Sequence, residues 1–148
     1  MNASVLQPQP VQLLEPSPTK VLVAMEMPAT YGGHVIVPQQ RQVLEYEIRD
    51  KPRSHEQDMT LITDNTMAIS FVKVYQDNAT MIVVFHKNFA EQDLTNVDVT
   101  LEVPPNVTAL TMPDEAVQES PTQDNSIHFQ IKVIPAGQTV LCAFKVSL

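Results

Sequence analysis

The sequence predicts an all-β fold, either an antiparallel β-sandwich or a barrel. Short apolar segments rich in valine and isoleucine recur about every 8–12 residues, with turn-forming residues between them, which is typical of such folds. Several segments alternate apolar and polar residues, and this pattern indicates strands with one face in a core and the other in water. Few stretches have a helical pattern.

Composition fits one domain with a substantial core. The chain has 148 residues, of which 43% are apolar and 18% charged. Its formal net charge of −8 argues against the basic patch of a nucleic-acid-binding protein, and it makes an anionic membrane surface an equally poor partner. The single cysteine, Cys142, cannot form an internal disulfide, and no apolar run is long enough to cross a bilayer. We therefore expect an intracellular protein.

Two regions differ in composition. Residues 1–19 are rich in proline and glutamine, and we expect a flexible, disordered linker there. This region has neither the basic nor the apolar part of a signal peptide. It is either a plain disordered tail or a linker behind a larger upstream protein, in which case Met1 is internal. The β-sandwich domain is predicted for residues 20–148.

Nine segments of that domain have the composition and the flanking turn residues of strands. Asp77-Asn78 lies between two of them and predicts a tight hairpin. Residues 113–125 are predicted to form a long acidic loop. The predicted strands are residues 20–25, 34–37, 59–63, 66–76, 79–86, 96–103, 106–112, 126–134 and 138–148.

Residues 39–50 (QQRQVLEYEIRD) fit two interpretations. Leu44, Tyr46 and Ile48 alternate with polar residues as in a strand. Pro38 instead suits the first turn of a helix, and Gln, Arg, Leu and Glu are good helix formers. We favour the strand, because the neighbouring segments are strands.

Three strands show clear inward-facing stripes, which predict the sandwich core. Pro104 and Pro105 follow one of them, and because proline cannot donate to a ladder they are expected to end it and turn the chain into the next strand. The glycosylation sequons at Asn2, Asn78 and Asn106 are expected to be unused. The stripes are Val97, Val99, Leu101 and Val103; Ile127, Phe129, Ile131 and Val133; and Val140, Cys142, Phe144 and Val146.

Residues with catalytic or metal-binding potential are scattered. The four histidines show no metal-ligand spacing. The chain has only three glycines, so no glycine-rich phosphate-binding motif fits the sequence. Cys142 lies on an inferred core face, where a thiol acts as a small apolar group. We expect no enzyme activity, no metal and no cofactor.

The order of features from residue 66 onward resembles the γ-adaptin ear, the immunoglobulin-like appendage of clathrin-adaptor large subunits. The resemblance lies in "MAISFVKVY" and "ATMIVVFHKNF", in the proline corner of "DLTNVDVTLEVPPNVTALTM", and in the closing pair "SIHFQIKVIPAGQTVLCAFKVSL". It implies an immunoglobulin-like antiparallel β-sandwich. It also implies recruitment of accessory proteins during coat assembly, through short motifs in which an aromatic residue is flanked by acids.

The resemblance also implies where such a motif would bind. On the closing strand, Leu141 and Ala143 stand where the family has bases, and Lys145 and Lys132 remain as cations. An acidic peptide would also meet a chain of net charge −8. We therefore expect Leu141, Ala143, Lys145 and Lys132 to bind a more apolar motif with Leu, Val or Phe anchors. The alternative is that residues 20–48 cover this face.

These observations predict a non-enzymatic module that recruits accessory proteins through short hydrophobic motifs in vesicle coat and trafficking assembly. Its expected partners are such motifs and other coat subunits, without nucleic acid or direct membrane insertion. Its expected location is cytoplasmic, peripheral to Golgi and endosomal vesicle membranes through a larger complex. One alternative is a structural immunoglobulin-like domain packed within a coat or ciliary assembly, and another is a secreted glycoprotein domain.

Overall fold

The computed structural model describes residues 27–111, 114, 116–120 and 126–147. The linker predicted for residues 1–19 and the strand predicted for residues 20–25 lie outside the described residues. The described chain is mostly strands in two sheets, which confirms the β-sandwich class. The strands are β1 (Ala29–Tyr31), β2 (His34–Ile36), β3 (Met59–Thr63), β4 (Met67–Gln76), β5 (Ala79–Asn88), β6 (Leu94–Glu102), β7 (Thr108–Thr111), β8 (Val117–Ser120), β9 (Ser126–Ile134) and β10 (Thr139–Ser147).

The larger sheet has seven strands in the order β1-β2-β10-β5-β4-β3, with β7 also paired to β10. The smaller sheet has three strands in the order β6-β9-β8. Neighbouring strands are antiparallel except β2 and β10, which meet in parallel where Ile36 pairs with Thr139. From β5 to β7 the chain crosses from the larger sheet to the smaller and back, and the second crossing follows Pro104 and Pro105.

The strand predicted for residues 39–50 is wrong, because this segment is helical. Short helical turns run without interruption through Pro38–Gln40, Arg41–Val43 and Leu44–Ile48. Leu44 and Ile48 are fully buried, whereas Tyr46 between them is 72% exposed. Residues four apart share a helix face, so one apolar side reaches the sheet and Tyr46 points away. We call residues 38–48 the helical segment.

Strand predictions from residue 59 onward agree with the structure, with two corrections. The acidic stretch 113–125 is not wholly a loop, because Val117–Ser120 forms β8 at the edge of the smaller sheet. In β9, Val133 is exposed, contrary to the prediction that it faces the core, and the neighbouring Ile134 is buried. Asn96 of β6 has a positive φ of 54° and lies beside Lys132 and Val133 of β9. At this point the alternation of buried and exposed side chains shifts by one residue in both strands.

Two apolar cores lie on opposite faces of the larger sheet. The first includes Leu44 and Ile48 of the helical segment, together with Phe85, Leu141 and Ala143 of the sheet. The second lies between the two sheets. It contains Val140 and Cys142 of β10 and Phe129 of β9. It also contains the predicted stripe of β6 and the residue after it, in which four partly buried side chains alternate with exposed polar ones: Val97, Val99, Leu101 and Val103.

Asn88, fully buried at the end of β5, joins the two sheets through its side chain. Its Nδ2 donates to the carbonyl oxygens of Ile134 (2.9 Å) and Gln92 (2.8 Å). Its Oδ1 accepts a hydrogen bond from the backbone N–H of Ala90, at 2.8 Å. All three contacts fix the crossing from the larger sheet to the smaller one.

A second amide fills a gap in the larger sheet. One edge of β10 pairs with β2 at Thr139 and with β7 only from Phe144 onward, which leaves Leu141 between them without a strand partner on that side. The fully buried Gln40 takes that place. Its Oε1 accepts from the Leu141 N–H at 2.7 Å, and its Nε2 donates to the Leu141 carbonyl. The side-chain amide thus replaces a neighbouring strand's peptide group.

We expect Gln40→Leu to lower the free energy of unfolding by about 2–4 kcal/mol, because it leaves a buried N–H and a buried C=O unpaired. Urea denaturation followed by circular dichroism measures this change. Gln39→Leu, at the exposed neighbouring glutamine, is the matched control and is expected to change the unfolding free energy by less than about 1 kcal/mol. Equal effects of the two substitutions would contradict the role given to Gln40.

Candidate interaction surface

The structure places two of the predicted peptide-binding residues in the core. Leu141 is 1% exposed and Ala143 is 6% exposed, and both pack in the cluster that contains Leu44 and Ile48. The helical segment therefore covers this face of β10. A peptide cannot contact Leu141 or Ala143 while that segment is in place.

The two predicted lysines do not share a surface. Lys132 is exposed on β9 in the smaller sheet, whereas Lys145 is half-buried on β10 in the larger sheet. Lys145 lines an open cleft of about 510 Å³ beside the β4–β5 turn, together with Lys51, Tyr75 and Asp77. The cleft combines two cations with a carboxylate, so its lining favours no single sign of charge.

The structure instead exposes an apolar strand at the margin of the larger sheet. β3 has β4 as its neighbour on one side, and among the described residues no strand lies on its other side. All five residues of β3 are exposed, including Met59 at 46%, Leu61 at 57% and Ile62 at 61%. Within the described part of the chain, its outer backbone edge is therefore open to pairing.

Two residues of β4 extend this apolar surface inward. Met59 pairs with Phe71, and Ile62 pairs with Ile69, so each pair lies on the same face of the sheet. Phe71 and Ile69 are half-buried, and neither belongs to the core between the two sheets. We call Met59, Leu61, Ile62, Ile69 and Phe71 the β3 patch.

Other described margins are protected in ways that β3 is not. β1 has only three residues, and the Arg49 guanidinium donates to its Thr30 carbonyl at 3.2 Å. β6 carries Asp98 and Glu102, β8 carries Glu119, and charged residues on an edge strand discourage pairing with another chain. β7 lacks a charged residue, but it is short, and Leu110 is its one large exposed apolar side chain among those described. β3 has a bulge between Thr60 and Ile62 but no charge and no proline.

The start of β3 is anchored by a buried histidine. The His34 ring stacks on Phe85 with centroids 4.3 Å apart, and its Nε2 lies 3.1 Å from Asp58 Oδ2. Its other nitrogen, Nδ1, lies 3.3 Å from Thr139 Oγ1. An Nε2–H donated to Asp58 and an Nδ1 accepting from Thr139 satisfy both ring nitrogens of a neutral imidazole. Desolvation lowers the pKa of His34, against the raising effect of Asp58, so this neutral form prevails at pH 7.

The carboxylates at both ends of β3 are ionised at neutral pH. Burial acts to raise the pKa of Asp58, but hydrogen bonds from Ser70 and His34 lower it below its usual value. Asp64 follows β3, and its Oδ1 accepts from the backbone N–H groups of Met67 (2.8 Å) and Thr66 (2.7 Å). Those bonds lower the pKa of Asp64. Asp64 also orders the turn that leads from β3 into β4.

Cys142 and His86 meet inside the core between the sheets. Cys142 Sγ lies 3.9 Å from His86 Nδ1, and that nitrogen lies 3.2 Å from the Val140 carbonyl, to which it donates. Desolvation lowers the pKa of His86 to about 4 and raises that of the Cys142 thiol, with Asp114 raising it further. Both groups are therefore neutral at pH 7. His86 Nε2 has no hydrogen-bond partner among the described residues.

Within the described residues, no three His, Cys, Asp or Glu side chains lie where they could hold a metal ion together. None of the helices described there is both long and apolar enough to span a membrane. Asn78 lies in the turn between β4 and β5, Asn106 lies in the turn after Pro105, and both are exposed.

Comparison with known proteins does not identify the chain. No protein-family model, no curated protein and no solved structure matches it. The candidate site therefore depends on the geometry of the β3 patch. The sequence predicts β3 as a strand, and its lack of charge and proline is visible there, but its place at the margin depends on the sheet order.

We expect Leu141→Ser to lower the free energy of unfolding by about 2–5 kcal/mol, because it creates a cavity and buries a hydroxyl. Lys145→Ser, four residues further along the same strand face and half-buried, is the matched control with an expected change below about 1 kcal/mol. Thermal and urea unfolding of both variants measure the difference. An unfolding free energy for Leu141→Ser equal to that of the parent would contradict burial beneath the helical segment.

Protonation of His86 is expected to destabilise the fold in mild acid. Its pKa is about 4 in the folded chain and about 6.5 in the unfolded chain, so the fold prefers the neutral ring. The contribution of neutral His86 to the free energy of unfolding is fully present above about pH 6.5. It falls by up to about 3 kcal/mol as the pH drops towards about 4. Urea unfolding at a series of pH values measures the loss.

Two variants separate His86 from other titrating groups. In His86→Leu this part of the decline is removed, and the part that comes from His34 remains. His55→Leu, at an exposed loop histidine, is the control and is expected to keep the decline of the parent chain. A decline that is the same in His86→Leu and in the parent chain would rule out His86 as its source.

Proposed function

We propose that this chain is a non-enzymatic protein-interaction module that recruits other proteins by binding a short, extended apolar segment at the β3 edge. The observation that carries the proposal is an uncharged strand at the margin of the larger sheet as described, with three large apolar side chains exposed. An exposed edge of this kind is a template for another strand. In the absence of a partner, it would be a site for aggregation.

Strand addition explains how affinity and selectivity would arise together. The backbone groups on the outer edge of β3, which have no strand partner among the described residues, supply hydrogen bonds to an extended chain. Alternate side chains of that chain then meet one sheet face. On that face, Phe71 and Ile69 continue the apolar surface beyond Met59 and Ile62. A segment with alternating apolar residues would bury this surface while its other face stays in water.

The biological setting of the proposal comes from the resemblance to γ-adaptin ears. Under it, the module recruits accessory proteins during vesicle coat assembly and works next to other coat subunits at Golgi and endosomal membranes. The β3 edge replaces Leu141 and Ala143 as the proposed contact surface, because the helical segment covers those two residues.

A structural role within a larger assembly is the second candidate. β3 lies at the margin of the larger sheet among the described strands, so a neighbouring subunit could continue that sheet permanently. A permanent interface is larger and more apolar than a recruitment site. Short peptides that bind β3 reversibly support recruitment, whereas binding that requires a whole folded partner supports the structural role.

Selection from a displayed library of random peptides tests the proposal. Peptides selected against the full chain are expected to lose affinity about tenfold in Leu61→Asn, because burial of a leucine contributes about 1.5–3 kcal/mol. Leu110→Asn on β7 is the matched control, since Leu110 is 66% exposed and Leu61 is 57% exposed. Fluorescence anisotropy measures both affinities.

The location of the bound segment is checked independently. In isotope-edited infrared or NMR spectra, peptide binding is expected to protect the amide protons of residues 59–63 from exchange. Selected peptides that bind Leu61→Asn and the parent chain equally well, without protecting β3, would contradict the proposed surface.

A further inference from the structure

We propose that the segment bound by β3 carries lysine or arginine on both sides of its apolar centre. This inference rests on the proposed function and adds the chemical class of the partner. It follows from the distribution of charge along one stretch of the chain. From residue 56 to residue 66 there are three acids, Glu56, Asp58 and Asp64, and no base.

The acids lie on both sides of the apolar strand and not within it. Glu56 and Asp58 precede β3, and Asp64 follows it directly. The neutral His34 holds the Asp58 carboxylate in place without adding a positive charge beside it. Asp64 is fixed by the two backbone N–H groups that it caps. An added strand would therefore place each of its ends beside a carboxylate.

The same arrangement disfavours a second copy of this chain as the occupant. In antiparallel self-pairing of β3, the start of each strand lies beside the end of the other. Asp58 of one copy would then lie near Asp64 of the other, at both ends of the interface. Like charges placed opposite each other destabilise a strand pair, and the net charge of −8 adds long-range repulsion between copies.

With a basic partner, the same carboxylates and the same net charge attract instead of repel. Each ammonium or guanidinium group near one of the carboxylates gains Coulomb energy, and the net charge of the chain steers a basic segment towards it. Lys87 on β5 is close enough to His34 to lower its pKa, and it acts against this attraction. Lys73 acts against it too, since it lies on β4 two residues beyond Phe71 and is exposed. It supplies a control of opposite sign.

The library selection described above tests the charge of the partner. Peptides whose binding depends on Leu61 are expected to be enriched in lysine and arginine on either side of the apolar residues. Glu56→Gln with Asp64→Asn, which keeps the Asp64 acceptor oxygen, is expected to weaken their binding about fivefold. Lys73→Gln is expected to strengthen it about twofold. Raising the salt from about 0.05 to 0.5 M should weaken binding to the parent chain but weaken it less in the double variant.

The outcomes separate this inference from the proposed function. Peptides that require Leu61 but show no basic enrichment and no loss in the double variant overturn the charge inference and leave the β3 site intact. A selection that yields no peptide dependent on Leu61 overturns both. Self-association of the chain through β3, detected by sedimentation and abolished in Leu61→Asn, overturns the inference of a basic partner. If Asp64→Asn unfolds the turn, Glu56→Gln alone and the salt series decide.

Discussion

The pairing of β10 is the constraint on which the rest of the structure depends. This strand lies inside the larger sheet, with one apolar core on each face, so both of its backbone edges are away from water. β5 satisfies one edge along its whole length, but β2 and β7 reach only the two ends of the other. Gln40 completes the ladder at Leu141. Because Gln40 belongs to the helical segment, the same contact fixes that segment over the sheet.

This constraint explains why alternation predicted much of the fold but not the candidate site. The stripes of β6 and β10 follow from a period of two, which the sequence shows directly. Alternation of Leu44, Tyr46 and Ile48 also fits a strand, yet a helix buries the first and third just as well. The helix also brings the Gln40 amide to Leu141, about a hundred residues away, and no local pattern contains that contact.

The exposure of β3 was unpredictable for a related reason. An apolar five-residue strand has the same sequence pattern whether it lies at the centre of a sheet or at its margin. Strand order decides between the two, and that order is set by long-range pairing. Likewise, Leu141 and Ala143 stand on a strand face whose exposure depends on what covers it. The sequence therefore predicts the strands well, and it predicts poorly which of their faces and edges meet solvent.

The two ends of β3 show how order and recognition can come from the same groups. A strand exposed on both faces gains little from side-chain packing, so beyond its ladder with β4 its position depends on contacts at its ends. Asp58 receives His34 at one end, and Asp64 caps the turn at the other. Each carboxylate uses neutral donors, which hold it in place without cancelling its charge. The groups that order the edge therefore also leave it flanked by negative charge, and an incoming basic strand would need no rearrangement of them.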